Sequence, residues 1–522
     1  MAMVTKMRRV RGERRRQLGL RLLLQLLGFS GGFFVTAVYA QSGEASARTG
    51  LTLQPRLTIS QTFTDNLRLA ESNRDQALII TLAPGLALSS RSGMLRGSLD
   101  YSLNGLFYAK TDQPTRVQHS LNSQGTAELL ARRVFVDVRA TVGQQAVSAF
   151  GVTSVDPALA DNNRRETASL AVSPYLRGEL AGLVAYEFRA DGALTRVKDS
   201  QIGDSSSQGL SLRVDGLGSG RGLGWGVSLS EQRQMPRYGR ETLVDTAELK
   251  LTYRPDVDWT LGGSTGWQRS DVNALQSSDG ATYGASVSWA PTPRTKLVAD
   301  AKHQSFGDTH SLNFEHRIAR AVLRLVDSRN LAVGQVGSAG LQGTYELLFL
   351  QFMSIEPDPV KRDLLVRQYM QANGLSASNV STGGFLISST SLTRRQELSA
   401  AWTGKRTTAT LSISRSRSER LGTAATVGDD FSQSGVVLQR GASLTLSHRL
   451  APDSSLSLTL SEQQGRGDAA SQKSDLKSVL ANWSLTLTRR SSLQLGMRHS
   501  NSDSLSRSYR ENAVLATYVH QF

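Results

Sequence analysis

The chain has no cysteine among its 522 residues, which excludes disulfides, thiolate metal ligands and cysteine nucleophiles. Long apolar runs are absent after residue 40, so the sequence predicts no further helix that could span a bilayer. Hydrophobic residues make up only 39%, a low share for a chain that buries one large globular core. Membrane insertion beyond residue 40 would therefore require paired strands, because a spanning structure must satisfy its own backbone hydrogen bonds.

Acidic residues are fewer than basic ones, with 44 Asp and Glu against 60 Lys and Arg. Eight of the basic residues and one acid lie in residues 1–40, which leaves 52 basic and 43 acidic residues beyond them. Much of the excess positive charge is thus N-terminal. No helix-turn-helix or aromatic RNA-binding pattern accompanies it, so we expect no nucleic-acid partner.

Residues 1–40 have the layout of a secretory signal peptide. A basic segment up to Arg21 precedes an apolar stretch over residues 22–36, and Val38-Tyr39-Ala40 supplies modest side chains before a cleavage point. We predict cleavage after Ala40 and a mature chain of residues 41–522. The alternative is a single membrane anchor, but the apolar stretch is interrupted and shorter than the roughly 20 residues a spanning helix needs.

Strict alternation of apolar and polar residues recurs along the mature chain. Residues 247–253, 281–289, 456–461 and 479–487 each place apolar side chains on one parity and mostly Ser, Thr, Gly or charge on the other. Such alternation is typical of strands with lipid outside and water inside. The sequence predicts an all-β protein: a large antiparallel transmembrane β-barrel of about 18–22 strands with a helical hairpin insert.

A soluble β-sandwich would also alternate, and three observations favour the membrane. The strands are long, often about 10–13 residues, which suits a tilted crossing of a bilayer. Aromatic residues lie beside tight turns, as Trp259 does after Pro255 and Trp289 before Pro291. Short and long connections alternate, as in barrels with short periplasmic turns and longer external loops. We therefore predict the bacterial outer membrane as the location.

The last nine residues, Val514–Phe522, predict a terminal strand with an assembly signal. Phe522 ends the chain, Tyr518 precedes it by four residues, and apolar residues occupy most alternate positions. This pattern resembles the C-terminal strand that the barrel-assembly machinery recognises, although His520 departs from the usual apolar residue. The alternative is an ordinary edge strand.

Residues 344–374 break the strand pattern and predict two helices. Tyr345, Leu348, Phe349 and Phe352 recur at helical spacing. Residues 357–359 then supply an N-cap and a first-turn proline for a second helix, which residues 373–374 end. The insert could be a lumen plug, a cap over one mouth or a surface that binds a partner; the alternative is an externally packed loop.

No catalytic, metal or cofactor site is expected. The seven histidines are scattered without metal-binding spacing, and the Gly262–Gly266 string lies within a predicted strand rather than at a strand-to-helix turn. Charged residues do fall on the polar parity and should face the lumen, either as stiffening ion pairs or as a path for an anionic solute. They are Asp100, Asp137, Arg139, Glu248, Lys250 and Arg498.

Arg415 and Arg417 continue the apolar parity of residues 409–413 at the end that should face outward. Long basic side chains at a membrane boundary reach the headgroups, and arginine offers bidentate donors to phosphate. We predict that this pair contacts lipopolysaccharide phosphates. The alternative is that the strand has already left the membrane and both side chains are solvated.

Several short motifs together resemble the outer-membrane barrel family associated with PEP-CTERM and exopolysaccharide gene clusters. They are Phe63–Asn66, Leu82–Gly85, Leu99–Tyr101, Pro291–Thr295, Ser305–Gly307, His316-Arg317, and Pro357–Pro359 with Arg362. The resemblance implies an outer-membrane role near polysaccharide synthesis, export or sorting, with exopolysaccharide and periplasmic export proteins as partners. That family offers no catalytic or ligand residues to carry over.

The functional expectation is a channel or accessory for exopolysaccharide export. One alternative is a general or substrate-specific porin for uptake. Another is a structural barrel that conducts nothing and docks a periplasmic partner. In each case the expected contacts include outer-membrane lipid, lipopolysaccharide and the barrel-assembly machinery.

Overall fold

In the described part of the chain, 22 long strands form one antiparallel sheet that closes on itself. The computed structural model describes residues 50–522 except 92, 160, 201, 217–221, 238–239, 273–277, 333–334, 337–343, 354–355, 357–361, 363–364, 367–368, 371–383, 423–427, 471 and 505–506. The predicted signal peptide and its cleavage point at Ala40 lie outside the described residues.

Each long strand pairs with its neighbour in the sequence, except where β15 pairs with β18 across an insertion and β24 pairs with β1 to close the barrel. In chain order the strands are β1 (Leu51–Thr64), β2 (Ala77–Arg91), β3 (Leu95–Ala109), β4 (Arg116–Leu130), β5 (Val134–Ala146), β6 (Arg164–Leu180), β7 (Val184–Val197), β8 (Ser205–Gly216), β9 (Gly222–Pro236), β10 (Thr242–Arg254), β11 (Trp259–Ser270), β12 (Ser278–Thr292), β13 (Thr295–Gln304), β14 (Gly307–Ile318), β15 (Ala321–Ala332), β16 (Gln335–Val336), β17 (Phe385–Leu386), β18 (Ser391–Thr403), β19 (Thr407–Arg420), β20 (Val436–Ala451), β21 (Ser454–Arg466), β22 (Lys473–Thr488), β23 (Ser491–Ser504) and β24 (Ser508–Gln521). The predicted antiparallel barrel is confirmed.

Helix is scarce in the described residues. Helix α1 spans Thr344–Phe352, and a single 3-10 turn spans Asp430–Ser432. Arg362, Leu365, Val366, Tyr369 and Met370 are also helical, but the connecting turn at residues 357–360 lies outside the described residues. The predicted helix at residue 344 is therefore confirmed, and the complete hairpin to residue 374 stays a prediction. Among the described residues, no helix is long and apolar enough to cross a membrane.

The two faces of the wall differ as the alternation predicts. On β21, Leu456, Leu458 and Leu460 are 36–48% exposed, whereas Ser455 and Ser457, on the alternate positions, are at most 5% exposed. Leucines therefore face outward and serines face the lumen. An outward apolar surface on a closed barrel, which leaves no edge strand unpaired, is the arrangement that lipid requires.

Aromatic side chains mark one rim of the outward surface. Trp259 and Trp289 contact each other with ring centroids 5.6 Å apart, beside the short turns of β10–β11 and β12–β13. Other outward aromatics near this rim are Tyr186, Trp225, Tyr253, Trp402, Trp483 and Tyr518. Such girdles lie at membrane interfaces. With the apolar belt, they place the barrel in the bacterial outer membrane.

The long connections all lie at one end of the barrel, and the opposite end has only short turns. The turns at residues 131–133, 255–258, 404–406 and 489–490 lie at the end that also holds β1's first residue and Phe522. Connections over residues 147–163, 271–277, 421–435 and 467–472 lie at the other end. The predicted alternation holds except at the β13–β14 and β23–β24 connections, which lie at the long-loop end and span only two and three residues. Because short turns of outer-membrane barrels lie on the periplasmic side, we expect the short-turn end to face the periplasm.

The last strand closes the barrel and displays its terminal aromatics outward. Nine residue pairs join β1 to β24, from Arg56 opposite Gln521 to Thr64 opposite Ala513, and the Phe522 amide donates to the Pro55 carbonyl at 3.0 Å. Tyr518 lies opposite Leu493, which faces lipid, and Phe522 is 63% exposed. Both residues of the predicted assembly signal thus lie where another protein could contact them.

Deleting Phe522 should reduce the amount of folded, heat-modifiable barrel several-fold in cells, because the exposed terminal ring is the part of β24 most available for recognition. Phe522→Leu retains an apolar end and is the matched control. Folded wild-type levels of the deletion variant would show that recognition does not use this ring.

Candidate functional site: the barrel lumen

The connection between β5 and β6, residues 147–163, folds across the lumen rather than away from it; we call it the inner loop. Tyr108 donates to the Ala158 carbonyl at 2.8 Å, and Tyr509 donates to the Thr153 carbonyl at 2.6 Å. Tyr108 lies on β3 and Tyr509 on β24, so the loop reaches strands well around the barrel from its own. This long connection therefore lies inside the barrel, although the longer loops of such barrels are generally external.

Apolar side chains explain why this loop turns inward. Ala158 and Leu159 pack with Leu67, Leu476 and Tyr509 in a cluster from which water is excluded. Leu159 is 2% exposed, and burying such a side chain contributes roughly 1.5–3 kcal/mol. The signal that could have revealed this is the presence of Phe150, Val152, Val155 and Leu159 in one connecting loop.

A buried ionic network fixes the inner loop to the barrel seam. Arg498 donates to Glu511 at 2.7 and 3.1 Å and to Asp156 of the inner loop at 2.8 Å. Thr64 donates to the same Glu511 at 3.0 Å. Glu511 and Thr64 are both 0% exposed, so the network lies inside the wall where β23, β24 and β1 meet. Arg498 therefore faces the lumen as predicted, in a structural ion pair.

Two adjacent acids in the connection between β19 and β20 join further segments over the same mouth. Asp430 accepts from Ser148 Oγ and from the Ala149 amide, each at 2.6 Å. Asp429 accepts from the Ser388 and Ser389 amides at 2.9 and 3.1 Å. Phe385, Phe431 and Phe150 form an apolar cluster beside them. The long-loop mouth is thus covered by segments that hold one another in place.

Burial raises the pKa of Asp430 to about 6, and neighbouring Asp429 raises it further against the opposing hydrogen bonds from Ser148 and Ala149. An exposed aspartate titrates near 3.9, so the protonated form favours the closed contact. The stabilisation is complete below about pH 4 and is lost as pH rises through about 6. Lower pH should therefore hold the inner loop more tightly.

Hydrogen exchange should detect this dependence. We expect protection of residues 147–163, corrected for intrinsic rates, to fall by up to about tenfold between pH 5 and pH 7.5. Asp430→Asn, which mimics the neutral acid, should abolish the difference while Asp468→Asn, an exposed acid of another loop, should not. Equal pH dependence in wild type and Asp430→Asn would contradict this assignment.

The second internal segment lies at the other mouth. Leu350 of α1 packs against Val322 and Ala401, two lumen-facing residues at the short-turn ends of β15 and β18. Gln351 donates to Thr403 at 2.5 Å, and Tyr369 shares a hydrogen bond with Thr408 at the start of β19. The chain leaves β15 at the long-loop mouth, so α1 has entered the lumen and reached its opposite end.

The described helical residues of this segment also pack on one another. Leu348, Phe352, Val366 and Met370 form one apolar cluster, with Phe352 and Tyr369 edge to face at 5.2 Å. Arg362 stacks over the Phe349 ring at 4.2 Å. These residues thus bury apolar surface against one another, and Val322 and Ala401 of the wall add an apolar contact for Leu350.

A cavity of about 660 Å³ lies in the lumen beside the inner loop. Most of its wall consists of serine, threonine, asparagine, glutamine and glycine. The hydroxyl and amide groups come from both sides of the barrel seam and include Ser60, Thr62, Ser102, Asn104, Gln118, Ser120, Gln439, Gln463 and Thr517. Each can donate and accept hydrogen bonds. The cavity therefore suits a solute that is rich in hydroxyl groups.

Several charges on the lumen wall form ion pairs with one another. Arg56 binds Asp100 through both guanidinium nitrogens, at 2.5 and 2.7 Å. Lys302 binds Glu248 at 2.8 Å. Arg189 bridges Asp137 and Glu187, each at 3.1 Å. For Asp100, Asp137 and Glu248, the interpretation as wall ion pairs is favoured over a path for anions.

The motifs that carry the family resemblance make structural contacts. Asn512 donates to both oxygens of Asp65 at 2.7 and 2.8 Å, which fastens β1 to β24. Gly85 lies opposite Arg56, and a Cβ there would come within 2.9 Å of the Arg56 Nε. Because Gly85 has no side chain, Arg56 has room to pair with Asp100.

The motifs Pro291–Thr295 and His316-Arg317 also make structural contacts, in this case with each other. His316 Nδ1 lies 2.9 Å from Thr295 Oγ1, the Arg317 amide donates to the Arg294 carbonyl at 2.8 Å, and the Arg317 guanidinium donates to the Pro293 carbonyl. These contacts fix the turn between β12 and β13. These motifs therefore have structural roles in the barrel.

Arg415 and Arg417 lie on the outward face of β19, on the parity of Ile413, and both are exposed. Arg417 donates to Glu419 at 2.6 Å. Arg415 lies directly opposite Arg440 of β20. The structure thus groups Arg415 with a residue that the sequence did not single out.

No family model matches the chain, and no curated protein matches it. Among solved structures, the FrpB iron transporter from Neisseria meningitidis is 10% identical, with a TM-score of 0.45 over 90% of this chain and 81% of that one. The siderophore receptor PirA from Pseudomonas aeruginosa is 10% identical, with a TM-score of 0.42 over 90% and 80%. OmpT of Vibrio cholerae, with loop L8 deleted, is 8% identical, with a TM-score of 0.30 over 91% and 100%. Likenesses this distant carry no argument about the solute.

Proposed function

We propose that the protein is a gated outer-membrane channel for uncharged, hydroxyl-rich solutes of the carbohydrate class. The observation that carries the proposal is the cavity of about 660 Å³, whose wall presents mainly hydroxyl and amide groups. Sugars offer alternating donors and acceptors that such groups satisfy without a net charge. The inner loop and the α1 segment supply the gate, since each occupies one end of the same lumen.

Compensated wall charges support a neutral solute. Three lumen-facing charges that line the cavity are paired, Arg164 with Asp161 at 3.4 Å, Arg395 with Glu397 at 2.6 Å and Asp156 with Arg498 at 2.8 Å. This pairing leaves little field to concentrate an ion. A carbohydrate could pass in either direction through such a lumen. Export of exopolysaccharide, which the family resemblance implies, stays a prediction that rests on that resemblance.

Solute block of single-channel current tests the proposal. We expect a neutral trisaccharide to block the current of a variant lacking residues 344–374 at several-fold lower concentration than a sugar acid of equal size. Gln463→Glu, which places a charge on the lumen face, should weaken this block. Gln208→Glu, on the outward face of β8 with Leu210 and Leu212, should leave it unchanged. Equal block by neutral and charged sugars would refute the preference for uncharged solutes.

A further inference from the structure

Two arginines on the lipid face lie directly opposite each other, Arg415 on β19 and Arg440 on β20. Opposed residues of antiparallel strands have Cβ atoms about 4.5–5.5 Å apart, and like charges at this spacing repel. Among the described residues, neither guanidinium has a carboxylate partner within 4 Å. The wall therefore holds two adjacent positive charges whose repulsion an anion would relieve.

Nearby acids are engaged elsewhere. Asp327 binds Arg394 at 2.7 Å, Glu419 binds Arg417 at 2.6 Å, and Glu462 lies 3.5 Å from Lys477. The basic groups nearest to the pair are thus largely neutralised, while Arg415 and Arg440 are not. Arg415 and Arg440 therefore differ from the other charged residues on this part of the outward face, which are paired.

The depth of the pair points to a lipid headgroup. Directly toward the short-turn end on the same outward face come Ile413 opposite Ala442 and then Leu411 opposite Leu444. Both arginines lie at the boundary where the apolar surface ends, on the long-loop side. A ligand bound here would meet two guanidinium groups at one end and an apolar wall below.

We propose that Arg415 and Arg440 bind a phosphate of a phosphorylated outer-leaflet lipid, with the acyl chains lying along residues 411–413 and 442–444. Planar guanidinium forks donate in pairs to phosphate oxygens, and two forks from adjacent strands can hold one phosphate group. In this site the partner of Arg415 is Arg440 and not Arg417, because Arg417 already pairs with Glu419.

Binding of purified bisphosphorylated lipid A to the full chain in detergent tests the site. Arg415→Gln/Arg440→Gln should bind at least about tenfold more weakly than wild type. Arg489→Gln/Arg490→Gln removes the same charge at the short-turn end and should bind as wild type does. Arg415→Lys/Arg440→Lys keeps the charge but loses the paired donors, and we expect an intermediate affinity. Heat modifiability verifies that each variant is folded.

Two further measurements separate the ligand sources. Dephosphorylated lipid A should bind wild type and the double Gln variant equally weakly, and 50 mM inorganic phosphate alone should not stabilise wild type against heat. Stabilisation by inorganic phosphate equal to that by lipid A would overturn the lipid assignment. Equal loss of binding in the Arg489/Arg490 control would overturn the site.

Discussion

Removing residues 344–374 and bridging the gap with a short Gly/Ser linker should raise single-channel conductance several-fold in planar bilayers. The reason is the position of α1, whose Leu350 and Gln351 contact wall residues at the short-turn mouth. A segment that lies within the lumen obstructs it until it is displaced. The deletion leaves Phe385 and Ile387, which belong to the apolar cluster at the other mouth.

A reversible lock provides the matched control for this deletion. The chain has no cysteine, so Gln351→Cys/Thr403→Cys introduces a single possible disulfide. Oxidation should hold the channel at its low-conductance level under voltages that open wild type, and reduction should restore opening. Equal conductance of deletion and wild type would exclude a plug. Loss of polymer secretion without a conductance change would instead favour a partner-binding role for the segment.

The sequence was sufficient for the wall because each strand carries its own period-two signal. Alternation in residues 456–461 alone specifies which side chains face lipid, and the structure agrees at every one of the three leucines. The start of α1 at Thr344 could likewise be predicted from adjacent residues. Such features depend on a few adjacent residues, so no knowledge of distant contacts is needed to predict them.

Contacts between segments distant in sequence could not be predicted in this way. The opposition of Arg415 and Arg440 depends on the register of β19 and β20 across a connection of 15 residues, and a slip by one residue would separate them. The course of the inner loop depends on Tyr108 and Tyr509, which lie 50 and 356 residues from their partners. These partners become visible only once the barrel is closed.

Replacing Arg498 by Met should destabilise the barrel strongly, by about 3 kcal/mol in the free energy of unfolding. Arg498 is 5% exposed and Glu511 is 0% exposed, so the substitution leaves a buried carboxylate whose one remaining donor in the described part of the chain is Thr64. The unfolding temperature in detergent should fall accordingly. Arg394→Met is the matched control, because it breaks a bidentate pair with Asp327 that is exposed to solvent. Such exposed pairs contribute about 1 kcal/mol or less.

The double substitution Arg498→Met/Glu511→Leu distinguishes an unpaired charge from a simple loss of packing. Replacing a buried ion pair by apolar residues of similar volume is often close to neutral, so the double variant should be more stable than Arg498→Met alone. Both variants lose the bond from Arg498 to Asp156, so both should show faster hydrogen exchange in residues 147–163. A double variant less stable than the single one would mean that the arginine contributes through packing with the inner loop. Unchanged exchange in that loop would mean that its apolar contacts with Leu67 and Leu476 suffice to hold it across the lumen.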